Sequence, residues 1–466
     1  MSSAVIFGKA SAGKSTLVGA IVAHDQKIDL DAFRRKLEEE VPGFDAAALY
    51  SMIVDDSKPE RERRSVDPPG GHSAGSTKRR HYRNVNLKSG QKATIIDTPG
   101  AEHRSKERVR GMFSGDTGVF CIEVLDVVDE KFLAGDGPSR AVMRALGLWG
   151  AFARKKVIIA LTMMDKVEFS REVFDKACYV LGRLLAQFDF EVDYVPTSVI
   201  TEELATHNVT DRSPLMDWYD GLTLMEALER HLFDDSAQDS SSESLLLSLD
   251  REVPHARLKA GRVWQAKILN GELVAGQRIR LAPVLLPNGE HSSVSATVRT
   301  IRRDVHSSED NEILDRAASG MIVGLDLTDV CGEDGRRMQK RAFEAVHSSC
   351  GFDSARRFAM SKSFAFTVPR NEGHAFSPTR QFGLVWFGWS MQFKVVDVAV
   401  RGGSYRVHAE SLVEPIAWPQ RRVGVSVLED VVIRSEYAES SRFLQARLEQ
   451  IGDVILADDS DVQPDG

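Results

Sequence analysis

The chain has 466 residues, 42% of them hydrophobic, with a formal net charge of −8 and four cysteines. That length can bury several cores, so two to four domains are expected, and the acidic balance argues against a surface that binds nucleic acid all over while leaving room for a local basic patch. Cys121, Cys178, Cys331 and Cys350 stand far apart with no Cys-x-x-Cys pair, which supports neither zinc nor a disulfide framework and points to a reduced, cytoplasmic setting. The first strand begins almost at once, leaving no room for a signal peptide, and no apolar run reaches membrane-spanning length, so no membrane partner is expected.

Ala4–Phe7 is a short apolar run suited to a buried strand, and Ser15–Ala23 reads as a helix. Between them Gly8-Lys-Ala-Ser-Ala-Gly-Lys-Ser15 is a complete GxxxxGK[ST] phosphate-binding loop. Its glycines let the backbone from Ala10 through Ser11, Ala12 and Gly13 curl around a polyphosphate. Lys14 reaches the β- and γ-phosphates, the Ser15 hydroxyl is a Mg²⁺ ligand, and Thr16 stands in the first helical turn. A chance Gly-rich turn is the competing reading, and the strand–loop–helix setting argues against it.

Further strands are expected at Ala93–Ile96, Gly118–Val124, Val157–Leu161 and Tyr194–Thr197, with helices at Ser139–Ala151 and Ser170–Phe188 and a closing helix at Leu222–Phe233. This alternation predicts an α/β domain over 1–233, doubly wound on a mostly parallel sheet. An acidic, Ser-rich linker follows at 234–244. From Leu245 onward short β segments dominate, with hairpin signals at Asn270-Gly271 and Asn288-Gly289 and a second β-rich stretch from about Ser363. Two antiparallel β-barrels are expected, over 245–335 and 336–457, before an acidic tail at 458–466.

Thr94-Ile-Ile-Asp97-Thr-Pro-Gly100 ends a buried strand in an aspartate and then a glycine. Asp97 is placed to hold the Mg²⁺ shell, and the Gly100 N–H to bond the γ-phosphate. With the phosphate loop at this distance, the chain resembles the translational GTPases of the elongation factor 1-alpha group, which includes release-factor and ribosome-rescue GTPases and the GTPase subunit of sulfate adenylyltransferase. The resemblance runs nearly end to end, through Trp218-Tyr-Asp-Gly-Leu-Thr-Leu-Met-Glu-Ala-Leu228, Asn270-Gly-Glu-Leu-Val-Ala-Gly276, Ala318-Ser-Gly-Met-Ile-Val-Gly324 and Ser441-Arg-Phe443. It implies binding of GTP/GDP with Mg²⁺, and as partners a tRNA or tRNA-mimicking protein and the ribosome.

The departures from the family pattern are specific. The base-reading Asn-Lys-x-Asp appears here as Thr162-Met163-Met164-Asp165. Asp165 keeps the carboxylate that accepts guanine N1–H and N2–H, Thr162 replaces Asn with a single hydroxyl, and Met163 covers the base without a charge. Thr197-Ser198-Val199 resembles the last base-contacting loop, with Val199 where Gly or Ala is usual. In the first switch, Glu60-Arg-Glu-Arg-Arg64 is separated from Gly75-Ser-Thr77 by a Pro/Gly segment, and counting back from Asp97 selects Thr77 as the Mg²⁺-ligating threonine. The basic residues of this region, Arg80 and Arg83 among them, read first as a solvated charged loop and second as an RNA contact. The family's water-orienting histidine position holds Ala101, followed by Glu102 and His103. His103 is the catalytic candidate, against the ordinary reading of a surface histidine. Ser11 also stands where the family's loop carries an aspartate. Three functions fit: a slow or partner-stimulated GTPase, a non-hydrolysing nucleotide-dependent scaffold, and a sulfate-activation subunit. The oligomeric state stays open.

Overall fold

The computed structural model describes residues 2–41, 43–55, 61, 80–100, 105–133, 142, 145–147, 149–150, 156–186, 188, 190–233, 245–254, 262–303, 312–338, 343–354, 358–369, 381–386, 389–412, 415–419, 423–429, 443–451 and 453–455. They fall into two units, 1–237 and 238–466. The linker 234–244 and the tail 458–466 lie outside the described residues.

Among the described residues the main sheet of the first unit has six strands: β1 (Ser2–Gly8), β2 (His81–Asn86), β3 (Lys92–Asp97), β4 (Thr117–Glu123), β5 (Lys156–Thr162) and β6 (Glu191–Pro196). Their spatial order is β2-β3-β1-β4-β5-β6, parallel throughout except for β2, which runs antiparallel to β3. Strands covered on both faces read as continuous apolar runs, and Ala4, Val5, Ile6 and Phe7 are all buried. Because β1 has β3 on one side and β4 on the other, the sheet changes winding direction there. A ligand crevice opens at the carboxyl ends of strands at such a point.

Each helix has a local reason to start where it does. α1 (Lys14–Asp25) begins after Gly13, whose backbone is left-handed at φ 77. α2 (Leu30–Glu40) is capped by the Asp29 side chain on the Ala32 N–H, and α3 (Leu49–Val54) packs beside α1. The contact of α1 with α3 is so close that a Cβ on Gly19 would fall on the Tyr50 carbonyl. α4 (Ser105–Ser114) precedes β4. α5 (Arg171–Leu185) is capped by Ser170, which accepts from Val173 N. α6 (Leu224–Phe233) opens on a reciprocal box in which Thr223 Oγ1 accepts from Glu226 N and Glu226 Oε2 accepts from Thr223 N. The expected helix at 139–151 lies partly outside the described residues; 145–147 and 149–150 within it are helical.

The second unit contains two closed six-stranded antiparallel rings. In the first, Arg278–Leu285, Glu344–Asp353, Leu246–Pro254, Arg262–Asn270, Ile322–Gly332 and His291–Arg302 follow in spatial order, and the last pairs back with the first. Glu344–Asp353 belongs to this ring, so the barrel does not end at 335 as its sequence suggests; the returning strand closes it. The second ring runs Ser363–Pro369, Ser404–Ser411, Trp389–Arg401, Gln381–Trp386, Val423–Glu429 and Phe443–Ile451, closed by pairing of the last with the first. Asn288-Gly289 turns a true hairpin, with Gly289 at φ 82 and Leu285 facing His291. Asn270-Gly271 does not: Glu272–Val274 pairs with Arg316–Ala318, and the strand before the turn pairs elsewhere.

Candidate functional site

The phosphate loop leaves β1 at Gly8, whose φ of 143 and contact with β4 admit only glycine, since a Cβ would collide with the Cys121 carbonyl. Ala10 and Ser11 form an exposed tip, with Ser11 left-handed at φ 62, and the chain turns inward at buried Ala12. No side chain caps α1, so its first N–H groups, around Lys14, Ser15 and Thr16, face the loop as an anion-binding end. Lys14 is 6% exposed, and its Nζ donates to the Lys9 carbonyl. Burial pulls its ammonium from 10.5 down to about 8, opposed by the Asp97 carboxylate.

Asp97 is the wholly buried last residue of β3, and its Oδ2 accepts from Ser15 Oγ at 2.7 Å. A hydroxyl and a carboxylate meeting in this way form the hard-oxygen donor set suited to Mg²⁺. Thr98 ties the following turn to β1, its Oγ1 donating to the Ile6 carbonyl at 2.8 Å. Gly100 then lies against the loop, where a Cβ would stand 2.6 Å from Ala10 N. Thr98 was not singled out from sequence, although a hydroxyl directly after the strand-end aspartate is a readable signal.

The second cluster forms at the ends of β5 and β6. Thr162 Oγ1 donates to the Ala12 carbonyl at 3.3 Å, and the same side chain lies 3.7 Å from where a Gly13 Cβ would stand. Thr162 thus binds this cluster to the phosphate loop with the one hydroxyl it has. Met163 is left-handed at φ 62 and half-buried, and Met164 N donates to the Thr197 carbonyl at 3.3 Å. Ser198 Oγ donates to Asp165 Oδ1, which orients the carboxylate and leaves both oxygens with lone pairs to accept further bonds. Val199 packs against the core of the unit.

The candidates therefore gather as two linked groups, the loop group (Ala10–Thr16, Asp97, Gly100), expected to hold phosphate, and the group at the ends of β5 and β6 (Thr162, Met163, Asp165, Ser198, Val199), expected to hold the base. Thr77, Ala101, Glu102 and His103 lie outside the described residues. The basic stretch is not wholly solvated: Arg80 is 3% exposed and donates to the Tyr82 hydroxyl at 3.0 Å, while Arg83 donates to the Val54 carbonyl. Arg80, directly before β2, and Arg83 within it are thereby tied into the fold. Cys121, Cys178, Cys331 and Cys350 form no disulfide in this structure. Among the described residues no helix is long and apolar enough to cross a membrane.

A phosphate loop on a doubly wound sheet, with an Asp-bearing base loop beside it and antiparallel barrels after it, defines a GTP-binding protein of translation-factor type. The family model of the elongation factor Tu GTP binding domain matches residues 1–234, and the chain belongs to that family. It is 26% identical over 342 residues to elongation factor 1-alpha of Methanocaldococcus jannaschii, covering 71% of this chain and 68% of that protein. It is 24% identical over 338 residues to the same factor of Hyperthermus butylicus, covering 72% and 68%. Its fold is similar to the GTPase-like domain of Ski7 from S. cerevisiae bound to GTP, with a TM-score of 0.71 and 14% identity over 97% of each chain. It is also similar to elongation factor SelB from Methanococcus maripaludis with the GTP analogue GppNHp, with a TM-score of 0.62 and 12% identity over 97% of this chain and 80% of that one.

Proposed function

We propose that this protein is a nucleotide-controlled translation-factor-like switch that binds GTP with Mg²⁺ and hydrolyses it slowly or only under partner stimulation, its barrels presenting a tRNA or a tRNA-shaped protein to the ribosome. The observation that carries this reading is the Lys14–Ser15–Asp97 grip beside a base loop that keeps Asp165. Ser15 and Asp97 would hold the Mg²⁺, which would supply charge to neutralise the phosphates. Lys14 neutralises the same oxygens from the loop side, the N–H groups at the start of α1 cradle the phosphates, and the Gly100 N–H bonds the γ-phosphate. Asp165, oriented by Ser198, accepts from the guanine edge, while Thr162 locks the base loop to Ala12. Met163 offers a polarisable apolar cover in place of a lysine stem.

A second reading, a non-hydrolysing scaffold on the same fold, is favoured by Ala101 at the family's histidine position together with Met163 and Val199. The S. cerevisiae neighbour is itself described as GTPase-like, and one of its structures holds GDP and inorganic phosphate. Phosphate release from saturating GTP, measured with and without ribosomes, separates the two readings. Ribosome-dependent turnover is expected of the switch; tight GTP binding with no turnover in either condition selects the scaffold.

A further inference from the structure

A cleft of about 420 Å³ lies in the first unit between α5, the edge strand β6 and the turn at 218–222, and no residue of the nucleotide site lines it. One wall is an aromatic corner. The Phe174 ring centroid is 5.4 Å from Trp218 and 5.9 Å from Tyr219, and Trp218 and Tyr219 stand 6.2 Å apart with planes at 77°. The polar atoms of this corner are already used. Trp218 Nε1 donates to the Phe169 carbonyl at 2.9 Å, and the Tyr219 hydroxyl lies 3.0 Å from the carbonyls of both Tyr194 and Leu222. Ring carbon is what this corner offers the cleft, whose other walls carry Arg171, Asp175, Asp193, Asp220 and Arg230.

The charges around this corner favour a cation. Arg171 is paired with Asp175 at 3.5 Å, and Arg230 with Asp193, which leaves exposed Asp220 as the carboxylate without a cationic partner among the described residues. The carboxylates are felt inside. Burial pushes the Cys178 thiol up to about 12 with Asp175 reinforcing it, and burial raises the Tyr219 phenol with Asp193, Cys178 and Asp220 reinforcing it and the Arg212 guanidinium opposing them. Among the described residues, no lysine or arginine of the chain lies over these three rings. Aromatic faces attract weakly hydrated organic cations, and a cleft of this size suits a small one. An anion would meet the excess carboxylate, and a strongly hydrated metal ion would find the other two carboxylates already paired.

We propose that this cleft binds an organic cation of the alkylammonium class, held against the Phe174–Trp218–Tyr219 corner and countered by Asp220. Choline chloride titrated into the full chain, with sodium chloride at equal ionic strength as the blank and 3,3-dimethyl-1-butanol as the uncharged isostere, tests it by tryptophan fluorescence and calorimetry. Choline is expected to bind saturably, with the isostere about tenfold weaker. Asp220→Asn, an exposed change, weakens choline by about fivefold at unchanged melting temperature, and Trp218→Leu weakens it by about tenfold. If Trp218→Leu does not fold, Asp220→Asn decides. Equal binding of the isostere, absence of saturable choline binding, or an Asp220→Asn protein that binds choline unchanged would overturn the proposal.

Discussion

Nucleotide binding to this protein is expected to be linked to a proton on Lys14. In the folded chain the buried ammonium has its pKa pulled down to about 8 from 10.5. Keeping it charged at neutral pH therefore costs on the order of 3 kcal/mol. The sign follows from which state holds the proton. Between pH 8 and 10.5 the unfolded chain keeps it and the folded chain does not, so stability rises with pH through that window, and below pH 8 the cost is carried in full. A polyphosphate brings negative charge to the place where the cost arises, so the pKa in the complex lies above that of the free protein. Binding then takes up a proton above pH 8, and affinity falls from there, by about tenfold at pH 9. Calorimetric titration of GDP at pH 7 and pH 9, in two buffers of different ionisation heat, reads both the fall and the proton. Lys14→Arg, charged at either pH, loses this slope and separates it from titration of the guanine itself. Equal affinity at both pH values with buffer-independent heats at pH 9 would refute the reasoning.

Two other substitutions probe the frame and the base end. Gly19→Ala places a methyl on the Tyr50 carbonyl and forces α1 from α3, at a cost of roughly 2 kcal/mol or more, read as a fall in melting temperature of about 4–8 °C. Met163→Lys restores a long stem with a charge over the base and is expected to tighten GDP by about tenfold in equilibrium dialysis, whereas unchanged affinity would mean that position 163 does not cover the nucleotide.

The parts of the fold that were legible in sequence are those with a local signature. Strands buried on both faces, such as β1 and β5, announce themselves as apolar runs, and Ser170 and Thr223 mark helix starts. β2 was not expected, because His81-Tyr-Arg-Asn-Val-Asn86 is an edge strand with a polar sequence whose place is set by pairing with β3. The apolar spacing of α2 is diluted by the charged residues on its solvent face, and that of α4 by the run Lys106-Glu-Arg-Val-Arg110 in its sequence, so neither helix is legible from periodicity. Asn270-Gly271 shows the limit of a turn signal: it states that the chain bends and not which strand the next segment joins. At the site, residue types gave the phosphate and base ends separately. Their connection through Thr162 and Ala12, and the burial that lowers Lys14, depend on contacts between distant segments and are visible only in three dimensions.

Asp165, oriented by Ser198, is the residue expected to make this a guanine-nucleotide switch. Equilibrium affinities for GTP, GDP and ATP in the presence of Mg²⁺, for the natural chain and for Asp165→Asn, test it directly. GTP and GDP are expected to bind at least about a hundredfold more tightly than ATP, with the preference largely lost in Asp165→Asn. ATP binding as tightly as GTP, or a preference that survives the substitution, would contradict it.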